Sequence, residues 1–297
     1  MMPAYAGYFA DPFVLRLADG TYVAFGTDPT APPDGAVFEC LTSPDLVRWT
    51  SHGAVLERLD DVYYDEYWAP EIAPAAGRWW MYYSTGHGIE GHHLRVAVAD
   101  APTGPYRDVG ANLTPLERFA IDPHPFTDVD GTRYLFYARD VLDSARPGTH
   151  LAVARLASPT QLGPATEVLA PTADWQLYQR SREMYGRRLD WYTLEGPTVV
   201  HRRGAYWLTY SGGAWTGERY AVSWARAEHP LGPWEPAADG ERLLASDGDL
   251  IGPGHNSITV GPEGSDVIAF HAWDHAGAKR QMHLRRIEVS DSGPQLV

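Results

Sequence analysis

The stretch YFADPFVLRLADGTYVAFGT, Tyr8 to Thr27, sets Asp11 against Pro12 at the mouth of an apolar run that stops at Asp19-Gly20 and then resumes. Two short apolar runs joined by an Asp-Gly turn read as a buried β-hairpin. Similar text returns as GRWWMYYSTG from Gly77, GTRYLFYARD from Gly131, GAYWLTYSGG from Gly204 and, more weakly, GSDVIAFHAWD from Gly264. With GTYVAFGTD from Gly20 that makes five copies, each a turn glycine followed by aromatic and β-branched residues suited to a pleated, buried surface. Three positions after the glycine stand Val23, Trp80, Tyr134, Trp207 and Val267.

A second marker follows the first four glycines by about 25 residues: SPDL at Ser43, APTGPY at Ala101, SPTQLGP at Ser158 and HPLGPW at His229. Further strand-like runs, such as LRVAVAD and YAVSWAR, lie between the markers. Repeats of this length built from short strands point to blades around an axis, each sheltering its neighbour's sheet edge. The expectation is an all-β chain, a five-bladed β-propeller forming one domain over residues 1–297, with blades starting near 9, 67, 120, 193 and 253. A β-sandwich with coincidental turn glycines is the competing architecture.

The chain has 297 residues, 44% of them hydrophobic and 21% charged, enough apolar surface for a core. Its net charge of -14 weighs against nucleic acid, an anionic membrane or a strongly acidic polysaccharide as partner. Cys40 is the only cysteine, so neither an intrachain disulfide nor a thiolate metal cluster can form. The N-terminus MMPAYAGYFADPF lacks the basic and apolar segments of a signal peptide, which predicts a cytoplasmic chain, or a secreted one whose leader has been trimmed.

Nine residues before the five turn glycines stand Asp11, Trp68, Asp122, Glu195 and His255. If the run before each glycine is the innermost strand of its blade, these side chains converge on the central channel. Three carboxylates in a confined site repel one another, so one stays protonated while another remains ionised, and divergent proton affinities are what an acid and base pair needs. Asp-Pro and Glu-Gly-Pro also suit strand entries on structural grounds alone. The common offset is what favours the chemical reading.

At these residues the sequence resembles glycoside hydrolase family 43, five-bladed propeller enzymes that cleave arabinose- and xylose-containing polysaccharides with inversion. The matching pieces are FADPFV (Phe9 to Val14), YWAPEI (Tyr67 to Ile72), IDPHPF (Ile121 to Phe126), LEGPTV (Leu194 to Val199) and GPGHNSI (Gly252 to Ile258). The resemblance implies Asp11 as general base, Asp122 as the residue that orients and tunes the acid, and Glu195 as general acid. It also implies a candidate calcium or other ion near His255, held largely through water. A lone histidine is more often a hydrogen-bonded core residue, and a hard cation wants an oxygen cage; no cofactor is required by this reading. Trp68, Phe9, Phe126, His255 and Trp191 are candidates for contact with sugar. Glu71 falls out of step with the channel offset and is read as structural, and HGIEGHH, His87 to His93, is read as a loop because it lacks the spacing of a zinc hydrolase.

The interval from Gly131 to Gly204 is 73 residues against 57 and 54 for the two before it. The excess, TADWQLYQRSREMYGRRLDWYT from Thr172 to Thr193, ends just before Glu195, so its arginines with Trp175, Tyr178, Tyr185 and Trp191 should overhang the site. A helical excursion packed on the rim, or a dimer contact, is the plainer alternative. The leading functional expectation is an inverting, end-acting glycosidase that removes α-L-arabinofuranosyl or β-D-xylosyl units from plant-derived oligosaccharides. An endo-acting arabinanase and a non-catalytic carbohydrate-binding propeller are the alternatives.

Overall fold

The computed structural model describes residues 2–29, 35–59 and 65–297. Each glycine-marked hairpin forms the two inner strands of a four-stranded antiparallel unit. The inner strands are Ala10–Arg16, Glu66–Ala75, Ala120–Thr127, Arg187–Arg202 and Ile251–Val260. Three units stand as separate four-stranded sheets, and the third and fourth are joined where Gly148 and Thr149 pair in parallel with Tyr192 and Thr193. The result is the all-β, five-bladed propeller, with only three single-turn 3-10 segments among the described residues.

Each sheet is covered on both faces, which is why the second strand of the first blade, Tyr22–Thr27, is buried at all six positions instead of alternating. The apolar clusters lie between neighbouring blades: Val23 and Phe25 of the first pack with Ile72 and Met81 of the second, and Phe136 and Val153 of the third with Leu208 and Tyr210 of the fourth. Four of the five positions three after the turn glycines, Val23, Tyr134, Trp207 and Val267, are buried in these seams, and Trp80 is partly so. The ring closes through the N-terminal segment, where Ala4 and Phe9 donate their N–H groups to the carbonyls of Met282 and Arg280 on the third strand of the last blade.

Candidate active site

Every inner strand breaks its register near its channel end, between Ala10 and Phe13, Trp68 and Glu71, Ile121 and His124, Glu195 and Thr198, and Gly254 and Ser257, the last strand also between Ile251 and Gly254. At each of the five shared breaks one residue takes a left-handed backbone: Asp11 (φ 50°), Ala69 (48°), Asp122 (59°), Gly196 (56°) and His255 (45°). These are β-bulges, which re-aim side chains and leave a backbone N–H without a ladder partner.

Those N–H groups are capped from the preceding blade around the ring. Ala69 donates to Thr27 Oγ1 (2.8 Å), Asp122 to Ser84 Oγ (2.9 Å), His255 to Ser211 Oγ (2.7 Å) and Asp11 to His271 Nδ1 (3.1 Å). Thr27, Ser84, Ser211 and His271 all stand seven residues after their turn glycines. The third blade has Ala138 there and offers no acceptor, so the Gly196 N–H turns to the Asp122 carboxylate, Oδ2, at 2.9 Å. At Gly196 the fit is tight, since a Cβ would stand 3.1 Å from the His255 ring.

The common nine-residue offset is exact for three blades and one short for two. Asp11, Asp122 and His255 are the left-handed residues, whereas Trp68 and Glu195 directly precede theirs. The cause is hairpin length: the second and fourth blades turn through two residues, 76–77 and 203–204, and the other three through five.

Around Asp11, Arg280 Nη1 lies 3.2 Å and His255 Nδ1 3.4 Å from Oδ1. Burial alone would raise the proton affinity of Asp11, but Arg280, His255 and His271 together outweigh it and hold the carboxyl far below the usual range. Arg280 is itself fixed, donating from Nε to the Tyr8 hydroxyl (3.1 Å) with its guanidinium 4.6 Å from the Trp215 ring centre. Burial pushes His271 down to about 4, so its ring is neutral at ordinary pH. Its Nδ1 then accepts the Asp11 N–H and lies 3.3 Å from Oδ1.

Glu195 has the opposite surroundings. Burial pushes its carboxyl up to about 7; the hydroxyl of Tyr220, 2.6 Å from Oε1, works against the rise and the Asp11 charge adds to it. Asp122 is also raised well above the ordinary range, by burial first and then by Glu195 and Asp11, with the Gly196 N–H opposing. His255 Nδ1, 3.8 Å from Asp122 Oδ2, sits between the two aspartates.

Two adjoining lobes open above these groups. One, of about 240 Å³, is lined by Asp11, Asp122, His255 and Arg280. The other, of about 230 Å³, is lined by Phe119, Asp140, Tyr178, Arg182, Met184 and Trp191. Glu195, Glu66, Trp68, Ile121 and Trp215 belong to both, so Glu195 stands on the seam. The excursion forms a β-ribbon, in which Leu177–Met184 pairs antiparallel with the start of the fourth inner strand, and it walls the second lobe through Tyr178, Arg182 and Trp191. Trp175 and Tyr185 do not line this lobe. Trp175 borders a separate depression of about 710 Å³ whose two charged side chains, Arg146 and Asp174, pair with each other, and Tyr185 donates its hydroxyl to Asp140 (2.7 Å).

The structure brings Asp11, Asp122, Glu195, His255 and Trp68 to one pocket and Trp191 to its neighbour. Phe9 and Phe126 require correction. Phe9 is buried beneath Gly26, edge-on to Tyr5, and Phe126 lies toward the far end of its strand against Phe136 and Tyr206, so neither reaches a lobe. Glu71 is buried against His124 (2.7 Å), and His124 accepts the Val199 N–H at Nε2, a brace between strands.

Sequence reading missed His271, on the second strand of the last blade, Arg280, at the start of the third, and Tyr220, in the loop before the third strand of the fourth blade. It also missed His92, whose ring stacks on Trp68 at 3.6 Å while Nε2 meets Glu66 at 3.1 Å. Among the described residues no three His, Cys, Asp or Glu side chains are grouped to hold a metal ion, and the two carboxylates near His255 are engaged by Arg280 and the Gly196 N–H. The residues present do not form the oxygen cage a hard cation needs.

Residues 2–294 match the family model for glycosyl hydrolases family 43. The chain is 29% identical over 291 residues to an extracellular exo-alpha-(1->5)-L-arabinofuranosidase of Streptomyces avermitilis, covering 88% of this chain and 54% of that one. It is 26% identical to a beta-D-galactofuranosidase of Aspergillus niger, covering 91% and 75% respectively. The chain thus spans about half the length of the first of these relatives. Among solved structures, a thermostable family-43 glycoside hydrolase superposes with a TM-score of 0.82 at 27% identity, over 97% of this chain and 92% of that one. The cytoplasmic expectation is overturned, since relatives from two Streptomyces species and two from Bacillus subtilis are all named as extracellular proteins. No helix among the described residues is long and apolar enough to cross a membrane. On the match along nearly its whole length, the chain belongs to glycosyl hydrolases family 43.

Proposed function

We propose that the chain is a secreted inverting glycosidase that hydrolyses arabinofuranosyl or xylosyl linkages. One observation carries the reading: an ionised carboxylate lies at the floor of one lobe, and a carboxyl that holds its proton to about pH 7 stands at the seam with the next. The donor sugar occupies the lobe over Asp11, and the leaving sugar occupies the lobe under the ribbon. Asp11 removes a proton from water as the water attacks the anomeric carbon. Glu195 gives its proton to the departing glycosidic oxygen. Asp122, with Oδ2 on the Gly196 N–H, orients the peptide that carries Glu195.

Cleavage at chain ends and cleavage within a chain differ in what lies beyond the donor lobe. A third recess, of about 140 Å³, adjoins it through shared Pro29, Glu66 and Trp68 and, among the described residues, leaves room for a chain to continue. That recess favours mid-chain cleavage, as do relatives named endo-alpha-(1->5)-L-arabinanase from Bacillus subtilis. End-acting removal, favoured by the exo-acting Streptomyces relatives, is the second reading.

The test follows aryl α-L-arabinofuranoside, aryl β-D-xyloside and linear arabinan by proton NMR and product sizing. Release of an inverted sugar supports the mechanism. Early medium-length products indicate mid-chain cleavage, and monosaccharide alone indicates end action. No hydrolysis of any of the three, with saccharide still bound, would replace the enzyme by a binding propeller.

A further inference from the structure

Resting on the reading of Glu195 as the acid, we infer that Tyr220 is a positioning residue that decides which oxygen of Glu195 carries the transferable proton. The Tyr220 hydroxyl is 2.6 Å from Glu195 Oε1, and that is its only hydrogen-bond partner among the described residues. The side chain is 1% exposed, so water does not offer it another acceptor. If Oε1 bore the carboxyl proton and Tyr220 accepted it, the tyrosine's own O–H would be buried without an acceptor, an arrangement proteins avoid. Tyr220 therefore donates, Oε1 is the carbonyl oxygen, and the proton resides on Oε2.

No protein group among the described residues hydrogen-bonds Oε2, which leaves the proton available to the glycosidic oxygen at the seam. When Oε2 gives up that proton, Tyr220 remains a donor to the new carboxylate, so nothing need reorient during transfer.

The tyrosine is held to this task from both sides. Its ring lies parallel to His271, centres 5.6 Å apart at 11°, and the other wall is Gly254, where a Cβ would fall 2.0 Å from the ring. Because His271 accepts the Asp11 N–H, one stacked pair steadies both the acid and the base. Tyr220 touches no lobe and acts only through Glu195.

The experiment compares wild type with Tyr220→Phe, which keeps the ring in place and removes the oxygen. The carboxyl carbon of Glu195 is titrated by ¹³C NMR in glutamate-labelled protein and assigned by its absence in Glu195→Gln. Loss of a donor that favours the ionised form should move the midpoint up by about one pH unit. The alkaline limb of kcat/KM on an arabino- or xylo-oligosaccharide should follow it, with kcat down about tenfold and the melting curve still cooperative. A midpoint that stays in place overturns the assignment, whatever happens to kcat. Should the wild type hydrolyse nothing, the functional reading fails separately, and the NMR midpoint still decides what Tyr220 does to Glu195.

Discussion

Asp11 and Glu195 are both buried carboxyls at the channel end of inner strands, yet their proton affinities part in opposite directions. Burial pushes both the same way. Asp11 is answered by a guanidinium at 3.2 Å that two tryptophans and Tyr8 hold in place, whereas Glu195 is answered first by a neutral hydroxyl and only more weakly by the charges of Arg280 and Arg182. In this site the burial is shared and the partner differs: Asp11 takes its guanidinium from the neighbouring last blade, whereas Glu195 takes its hydroxyl from its own blade. The pH dependence of stability should split the same way. The Asp11 contribution is present above the ordinary carboxylate range and lost as pH falls through its depressed folded value; the Glu195 contribution is present below about 4.5 and lost as pH rises through about 7.

The comparison breaks most severely if the two roles are exchangeable. Asp11→Asn should lower kcat by about 10³-fold or more on every substrate. Glu195→Gln should lose about 10²-fold on saccharides but less than tenfold on dinitrophenyl glycosides, whose leaving groups need no proton. Equal losses across both substrate types in both variants would erase the distinction.

A smaller effect sharpens the base side. Arg280→Met removes the charge that does most to hold Asp11 ionised and a lesser influence on Glu195, so the acid limb of kcat/KM should move up in pH by more than the alkaline limb, which starts near 7, as a pH–rate series would show. An acid limb that does not move would mean that the histidines alone suffice.

The smallest expected change tests the cap on Gly196. Ala138 is fully buried at the position where other blades carry Thr27, Ser84, Ser211 and His271. Ala138→Ser supplies a competing acceptor, frees Asp122 from the Gly196 N–H and should lower kcat about threefold to tenfold with little change in KM. A rate within error of wild type would show that Asp122 needs no such tether.

The five hairpins were legible because turn glycines and aromatic runs are local, and the carboxylates because the bulge recurs at nearly constant distance from its turn. The one-residue slip at Trp68 and Glu195 was hidden because a two-residue and a five-residue hairpin both present a glycine after the strand. Phe9 and Phe126 misled because an aromatic beside a catalytic position is as useful to the seam between blades as to a sugar. Tyr220 and Arg280 carried no strand-repeat signal of their own. The seven-residue acceptor series was present in the text and could have been found, since hydroxyls interrupting apolar strands call for a donor.

Ring closure gives the site a further property. Asp11 and Arg280 are 269 residues apart in the chain and meet only where the first and last blades join. A chain whose seam has parted keeps Asp11 on an intact hairpin but deprives it of the guanidinium, so its carboxyl returns toward ordinary acidity. The proposed base thus acts as a latch indicator, acquiring its low proton affinity at the final step of assembly, and on that reading a half-made or proteolytically opened propeller is silent before it has lost its blades.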